Sequence, residues 1–374
     1  MVAKQKIMVA LSGGVDSSVA AALLVRAGHE VVGAFMKNWS TPKPRVGVDD
    51  VFSVTECDWR GERRDALRVA AQLGIPLHTF DFEKEYRARV YDTMIQDYQR
   101  GRTPNPDVLC NREIKFDLLR RAAEELRCTA LATGHYARVA EISQGFLLKK
   151  GLDSAKDQSY FLCRLGQTEL AQTLFPVGAM RKTAVRAAAR RFGLPTAEKK
   201  DSQGLCFVGK VDLPTFLKER LAPKQGRIIR PDGTVLGIHE GIWFYTVGQR
   251  EGLHFGGGTP YFVIERRVET NELVVVPEGD PALWSTEIFA SEPHWVSGNA
   301  LKLPLACSAK IRYRGEDLGC TVTPEAEALR VRFTTPARTP APGQFLVFYQ
   351  DDVLLGSAVI ESSGPMTTKI PPTE

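Results

Sequence analysis

Residues 9–24 read VALSGGVDSSVAAALL. An apolar run ends at Leu11, a polar loop of two glycines and three serines follows, and an alanine- and leucine-rich run resumes at Val19. A strand that breaks into glycines and restarts as a helix can wrap an anion. Gly13 and Gly14 let the backbone approach it closely. The helix behind them offers its first amides and the positive end of its dipole. Ser12, Ser17 and Ser18 add hydroxyl donors. The lysine of the G-x-x-x-x-G-K-[ST] phosphate loop is absent, so that loop is excluded. Asp16 beside a phosphate would repel it unless a cation lay between them, which points to Mg²⁺.

Outward from this loop the first half of the chain alternates strand and helix. KIMVAL (6–11), EVVGAFM (30–36), PLHTFDF (76–82) and TALATGH (129–135) read as strands. Between them, SSVAAALLVRAG closes on Gly28, RRDALRVAAQLG closes on Gly74, and KFDLLRRAAEEL carries helical periodicity. This alternation predicts an α/β fold with a doubly wound parallel sheet. Ligands of such sheets bind at the carboxyl ends of the strands, where SGGVDS, MKNW and TGHYA fall. Two non-periodic stretches interrupt the pattern, residues 38–61 and the surroundings of GRTPNPDVLCN, and both read as long functional loops.

From about Cys206 the pattern turns to β. GRIIRPDGTVLGIHEGIWFYTVGQREGL and YFVIERRVETNELVVVPEG read as hairpins with Asp-Gly and Asn-Glu turns. From about Trp284, short alternating strands suggest a small β-barrel. The expected organisation is a catalytic domain over 1–205, a small β-rich central domain over 206–280, a C-terminal β-barrel over 281–362 and a tail over 363–374.

Charge and cysteine usage narrow the chemistry. No apolar run approaches the ~18 residues of a membrane span. The N-terminus runs into the first strand without a cleavage site, so the expected location is cytoplasmic. Net charge is +5, but residues 181–230 hold thirteen Lys/Arg against four Asp/Glu. That block reads as a polyphosphate-binding face or as a solvated surface. Seven cysteines without C-x-x-C spacing argue against both a disulfide framework and a zinc site. Cys110 and Cys206 lie in polar, Gly/Pro-containing windows with Arg112, Lys115, Lys199 and Lys200 nearby. Cationic neighbours favour thiolate. Two such thiols suggest a sulfur relay or a catalytic disulfide, against the plainer reading of two half-buried cysteines.

The segment SGGVDSS after a first strand resembles the pyrophosphate-binding loop of the N-type ATP pyrophosphatases, which adenylate an oxygen on their substrate. In that superfamily the loop holds the pyrophosphate that leaves, so no lysine for a γ-phosphate is required. Five further windows, GRTPNPDVLCNREIKF, ATGHYAR, LDSAKDQSYFLC, DSQGLCF and YTVGQREGL, together resemble the tRNA-specific 2-thiouridylases, from Lys6 to about Glu361.

This resemblance implies ATP-dependent replacement of the C2 oxygen of a wobble uridine by sulfur, in the tRNAs for glutamate, glutamine and lysine, with the sulfur delivered as a persulfide by a carrier protein. It implies that Ala10, Leu11, Ser12, Gly13, Gly14, Val15, Asp16 and Ser17 cradle ATP with Mg²⁺, and that Met36 and Gly134 line the adenine and ribose side. Asn105, Pro106 and Asp107 would meet the target base, with His135 beside the tRNA. Lys156, Asp157 and Gln158, and from the barrel Arg312, Tyr313 and Gln344, match tRNA-contacting positions. A helical tRNA-binding extension closes the first domain. Cys206 matches the persulfide carrier and Cys110 the second catalytic cysteine. No residue is implied as a protein-held metal cluster.

Several alternatives stay open. Asp107 is a general acid or base, or a helix cap before VLCNREIKF. The Cys206 persulfide attacks directly, or Cys110 first releases sulfide. Cys128, Cys163, Cys307 and Cys320 read as packing thiols and Cys57 as a loop residue. Arg186 and Arg190 share one helix face that suits RNA. Two rivals remain: a small-molecule synthetase with the same ATP loop, and a tRNA-binding protein without catalysis.

Overall fold

The computed structural model describes residues 4–40, 59–200, 217–218, 220–253 and 258–364. Cys57 and Cys206 lie outside these residues.

The first sheet is parallel, as the alternation predicts. Strand β1 (Lys6–Ala10) is flanked on one side by β2 (Glu30–Lys37) and then β3 (Leu77–Asp81), and on the other by β4 (Ala130–Ala132). Ile7 pairs with both Val31 and Ala130. Residues 7–10 of β1 are buried because helices cover both faces of the sheet, and that stretch is therefore apolar. Helix α1 (Val15–Arg26) packs on this sheet and ends as the sequence predicts. Gly28 takes a positive φ of 87°, and the His29 amide donates back to the Leu24 carbonyl. Helix α2 (Trp59–Leu73) ends in the same way at Gly74. The chain leaves β1 for β2 and β3, then crosses back to β4. The crevice between the ends of β1 and β4 is thus the topological switch point.

A hairpin, β5 (Ala137–Ile142) and β6 (Gly145–Lys150), follows, and a two-residue strand β7 (Thr173–Leu174) edges the parallel sheet beyond β4. Strands β8 (Gly226–Ile229), β9 (Val235–His239), β10 (Tyr261–Arg267) and β11 (Glu272–Pro277) form a four-stranded central sheet. Its turns use Asp232–Gly233 and Asn271, the latter at φ 53°. Residues 242–244 in the predicted hairpin region form a helical turn instead.

Six antiparallel strands then close a barrel: β12 (Trp284–Trp295), β13 (Leu305–Lys310), β14 (Leu318–Glu325), β15 (Ala328–Arg338), β16 (Phe345–Gln350) and β17 (Val353–Gly364). Closure comes from β12 pairing with both β15 and β17. Ile288, Val322, Val331, Leu346 and Ile360 fill the interior. The β5–β6 hairpin extends this barrel, with Leu148 beside Leu354. A piece of the first half is therefore stitched to the last.

The stretch around GRTPNPDVLCN is not the long loop expected. It turns helical at Pro106 and stays helical through residue 125, with a widened π-type stretch at Asn111–Leu119. Asn105 caps it, its side chain accepting from the Val108 amide at 3.3 Å, and Pro106 occupies the first helical position. The cap is Asn105, not Asp107, which sits in the first turn where a carboxylate suits the dipole.

Candidate nucleotide and uridine site

The loop folds in a form that can seat an anion. Ala10 and Leu11 are buried at the end of β1, and the Leu11 amide donates to the Ala34 carbonyl at 2.8 Å. Gly13 has φ 73°, and a Cβ there would lie 2.4 Å from the Glu62 carbonyl oxygen. The Ser12 and Ser17 hydroxyls lie 3.2 Å apart, and Ser17 and Ser18 donate to the Gly14 carbonyl at 3.1 and 2.7 Å. Val15 is buried and starts α1. Across the switch point, a Cβ on Gly134 would lie 2.6 Å from the Ser17 amide nitrogen. That glycine is what lets the end of β4 approach the start of α1. Met36 is buried in β2.

Asp16 is not left bare. The Lys182 ammonium lies 2.8 Å from each of its carboxylate oxygens, and the Tyr136 hydroxyl donates to Oδ1 at 2.7 Å. The repulsion that pointed to a metal ion at Asp16 is thus already offset by a lysine. On the other side of the loop, Lys199 donates to the Gly13 carbonyl at 3.0 Å and to Asp65 at 2.7 Å. The sequence sets Lys199 near Cys206, Tyr136 within TGHYA and Lys182 within the basic block, and assigns none of the three to this loop. Arg186 and Arg190 are not a bare RNA face either. Arg186 donates to the carbonyls of Ala197 and Lys199, and Arg190 pairs with Glu198 at 2.7 Å.

The segment before Cys110 is held by all three parts of the chain. The Thr103 amide donates to the Pro342 carbonyl at 2.6 Å, and Arg266 of the central sheet donates to the Thr103 hydroxyl at 2.8 Å. Gln344 donates to the carbonyls of Thr103 and Pro104 and accepts from the Asn105 side-chain Nδ2. The structure therefore joins Gln344 and Asn105, 239 residues apart. Pro106 is buried and Asp107 half-buried.

Cys110 departs from the polar setting expected of it. It is 0 % exposed, within the apolar cluster that includes Val108, Ile114, Tyr160 and Cys163. The sequence window is polar, but helical periodicity turns position 110 inward. His135 is also buried, 9 % exposed, with Nδ1 2.7 Å from the Thr133 hydroxyl and Phe116 and Phe175 against its ring. Burial, with the nearby charge of Lys115, holds its pKa well below the ordinary value.

Asp157 is 7 % exposed rather than a surface contact. Its carboxylate accepts from the amides of Gly151 and Ser159 and from the Ser159 hydroxyl, which shapes the turn. Gln158 accepts from the Tyr136 amide at 3.0 Å and so braces TGHYA. Lys156 is half-buried on the same turn. Arg312 is exposed, and Tyr313 packs on Phe161 with ring centres 4.2 Å apart.

Comparison with known proteins follows the same outline. A family profile described as the tRNA methyl transferase HUP domain matches residues 5–210. A tRNA methyl transferase PRC-barrel domain matches 214–277, and an aminomethyltransferase β-barrel domain matches 285–360. A tRNA-specific 2-thiouridylase MnmA of Idiomarina loihiensis is 45% identical over 96% of this chain and 96% of its own length. The chain belongs to the tRNA-specific 2-thiouridylase family. The 2-thiouridylase MnmA of Pseudomonas syringae is 43% identical over 98% of this chain and 96% of its own, and MnmA 1 of Geobacillus kaustophilus is 45% identical over 96% of each. Among the described residues of this 2-thiouridylase-family chain, no helix is long and apolar enough to cross a membrane, and no three His, Cys, Asp or Glu gather to hold a metal ion.

Proposed function

We propose that this chain uses ATP to replace the C2 oxygen of a tRNA wobble uridine with sulfur. The observation that carries the reading is the anion seat at the switch point, in a chain 43–45% identical to 2-thiouridylases over nearly its full length. A carbonyl oxygen is a poor leaving group. Attack of that oxygen on the α-phosphorus of ATP releases pyrophosphate and turns the oxygen into part of a good leaving group, AMP.

Residues 10–17 supply the seat for the phosphates, where fixed amides stabilise charge on the departing pyrophosphate without reorganising, and Met36 and Gly134 line the adenine and ribose side. Mg²⁺ fits as an ion carried in on the phosphates, since such ions need only one or two protein carboxylates and Asp16 is available once Lys182 yields. When bound, it would supply further charge neutralisation. Asn105, Pro106 and Asp107 lie on the braced segment and would meet the base, with Asp107 the candidate proton donor or acceptor. Lys156, Arg312 and Tyr313 would meet the RNA, whereas Asp157, Gln158 and Gln344 act by holding backbone, and His135 packs beneath against Phe116 and Phe175.

Sulfur arrives as a persulfide on Cys206 from a carrier protein. Its outer sulfur attacks C2 and AMP leaves with the old oxygen. The Cys110 thiolate then attacks the Cys206 sulfur, leaving thiouridine and a Cys110–Cys206 disulfide that an external thiol reductant resets. Because Cys110 is buried, this step requires its cover to open. The profile description names methyl transfer, but a methyl donor has no use for a seat built for polyphosphate. The substrates expected are wobble-uridine tRNAs for glutamate, glutamine and lysine.

The test uses purified protein, ATP, Mg²⁺, a persulfide donor and unmodified tRNA transcripts, with thiolated product detected by retardation in a mercury-containing gel. Retarded product that requires ATP and is lost in Cys110→Ser and Cys206→Ser supports the reading. Pyrophosphate release with a small acceptor and no tRNA product would move the chain to a small-molecule synthetase.

A further inference from the structure

The SGGVDSS loop carries no lysine of its own, yet two lysines from one distant unit converge on it. Lys182 opens the helix Lys182–Arg191 and Lys199 ends the turn behind it. Lys182 is separated from Asp16 by 166 residues. Its place is fixed twice. The Asp153 carboxylate accepts from its backbone amide at 2.9 Å, and its ammonium, on a side chain 12 % exposed, lies 5.7 Å from the centre of the Tyr136 ring. Lys199 is aimed by Arg186, whose guanidinium holds the Lys199 carbonyl at 2.9 Å.

The position of Lys182 breaks a local rule. The first residue of a helix favours an anion, and this helix begins with Arg181 as cap, Lys182 next, and no acid in its first turn. Such a departure without local gain marks a residue kept for another purpose. The other purpose is in view: the ammonium stands at the first turn of α1, where an anion would sit.

We propose that Lys182 is the phosphate-binding lysine of this loop, supplied from outside the motif. It holds Asp16 while the loop is empty and passes to a polyphosphate oxygen when the loop is filled, with Lys199 fixing the Gly13 carbonyl so that the loop keeps its shape. The role rests on the reading of residues 10–17 as an ATP seat. It gives that seat a specificity for polyphosphate over the bare nucleoside.

The experiment measures binding of inorganic pyrophosphate, ATP and adenosine to the full chain by titration calorimetry, with thermal unfolding as a control for folding. Lys182→Met should weaken pyrophosphate at least about tenfold, the scale of a lost charge-assisted hydrogen bond, and leave adenosine unchanged. Lys182→Arg should recover part of the loss. The double variant Asp16→Asn with Lys182→Met separates the roles. If Lys182 only neutralises Asp16, the double variant regains wild-type affinity and the proposal falls. If Lys182 binds phosphate, the double variant stays weak. Wild type that binds neither pyrophosphate nor ATP refutes the ATP seat itself. Wild-type binding that Lys182→Met leaves unchanged refutes this inference alone.

Discussion

The Lys182 ammonium lies 2.8 Å from both carboxylate oxygens of Asp16, which joins the first turn of α1 to the start of a helix that sits 166 residues later in the chain. The pair is partly buried, with side chains 12 % and 30 % exposed. Removing either partner leaves the other charge poorly solvated. Asp16→Asn and Lys182→Met should each cost about 1–3 kcal/mol, and the double variant should cost less than their sum. Urea unfolding of all four proteins checks this, and strictly additive losses would mean that the pair carries no coupling.

Gly134→Ala tests the switch point. Its Cβ would fall 2.6 Å from the Ser17 amide nitrogen, an atom of the anion seat. Backbone must shift, at a cost of about 1–3 kcal/mol. The expected outcome is ATP binding weakened about tenfold or more, with tRNA binding retained. Calorimetry with each ligand distinguishes this from general unfolding, which would abolish both.

Gln344→Ala releases the carbonyls of Thr103 and Pro104 and the Asn105 side chain. The loss should be about 1–3 kcal/mol of stability. Thiolation should fall through kcat, because the segment carrying Asn105 and Asp107 loses its brace, while ATP affinity stays unchanged. An unchanged kcat would show that the barrel holds RNA without shaping the reacting segment.

Acid sensitivity follows from three histidines. Burial lowers the pKa of His135, His239 and His294 below the ordinary histidine value of 6.5. Below pH 6.5 the unfolded chain takes up protons that the native chain refuses, so their contribution is present above that pH and is lost as pH falls. The slope approaches about 1.4 kcal/mol per pH unit for each fully refused proton. Urea midpoints between neutral and mildly acid pH should drop, and His135→Gln should flatten the drop. A midpoint that rises on acidification would contradict the assignment.

Thiol reactivity should separate the cysteines by cover. Burial pushes Cys163 up to about 12, and the Cys110 side chain is fully enclosed. At mildly alkaline pH both should resist iodoacetamide in the tRNA-free chain, and reach the rate of an unfolded thiol only in denaturant. Mass spectrometry of the labelled peptides gives the rates, and rapid native labelling of Cys110 would show that its cover opens without RNA.

The parallel sheet was legible because β1, β2 and β4, buried on both faces, leave apolar runs, and because Gly28 and Gly74 mark their helix ends. The loop was legible because its chemistry lies within seven consecutive residues. The helix from Pro106 was misread, although an Asn cap followed by Pro is a helix start, because the glycine and prolines before it suggested a loop. The inward turn of Cys110 was hidden for the same reason. The β5–β6 hairpin, ARVAEI and GFLLKK, carries no clean alternation, and nothing local says that it joins a barrel two hundred residues on. Lys182, Lys199 and Tyr136 meet the loop only through tertiary packing, so the sequence could not show that part of the basic block bonds to the SGGVDSS loop.

The central claim is that ATP activates the uridine oxygen itself. It is tested most directly by placing heavy oxygen at C2 of the wobble uridine, running one turnover with ATP and a persulfide donor, and weighing the AMP released. The account predicts that the heavy atom leaves in the AMP phosphate, one for each thiouridine formed. Thiouridine formed alongside unlabelled AMP would contradict it.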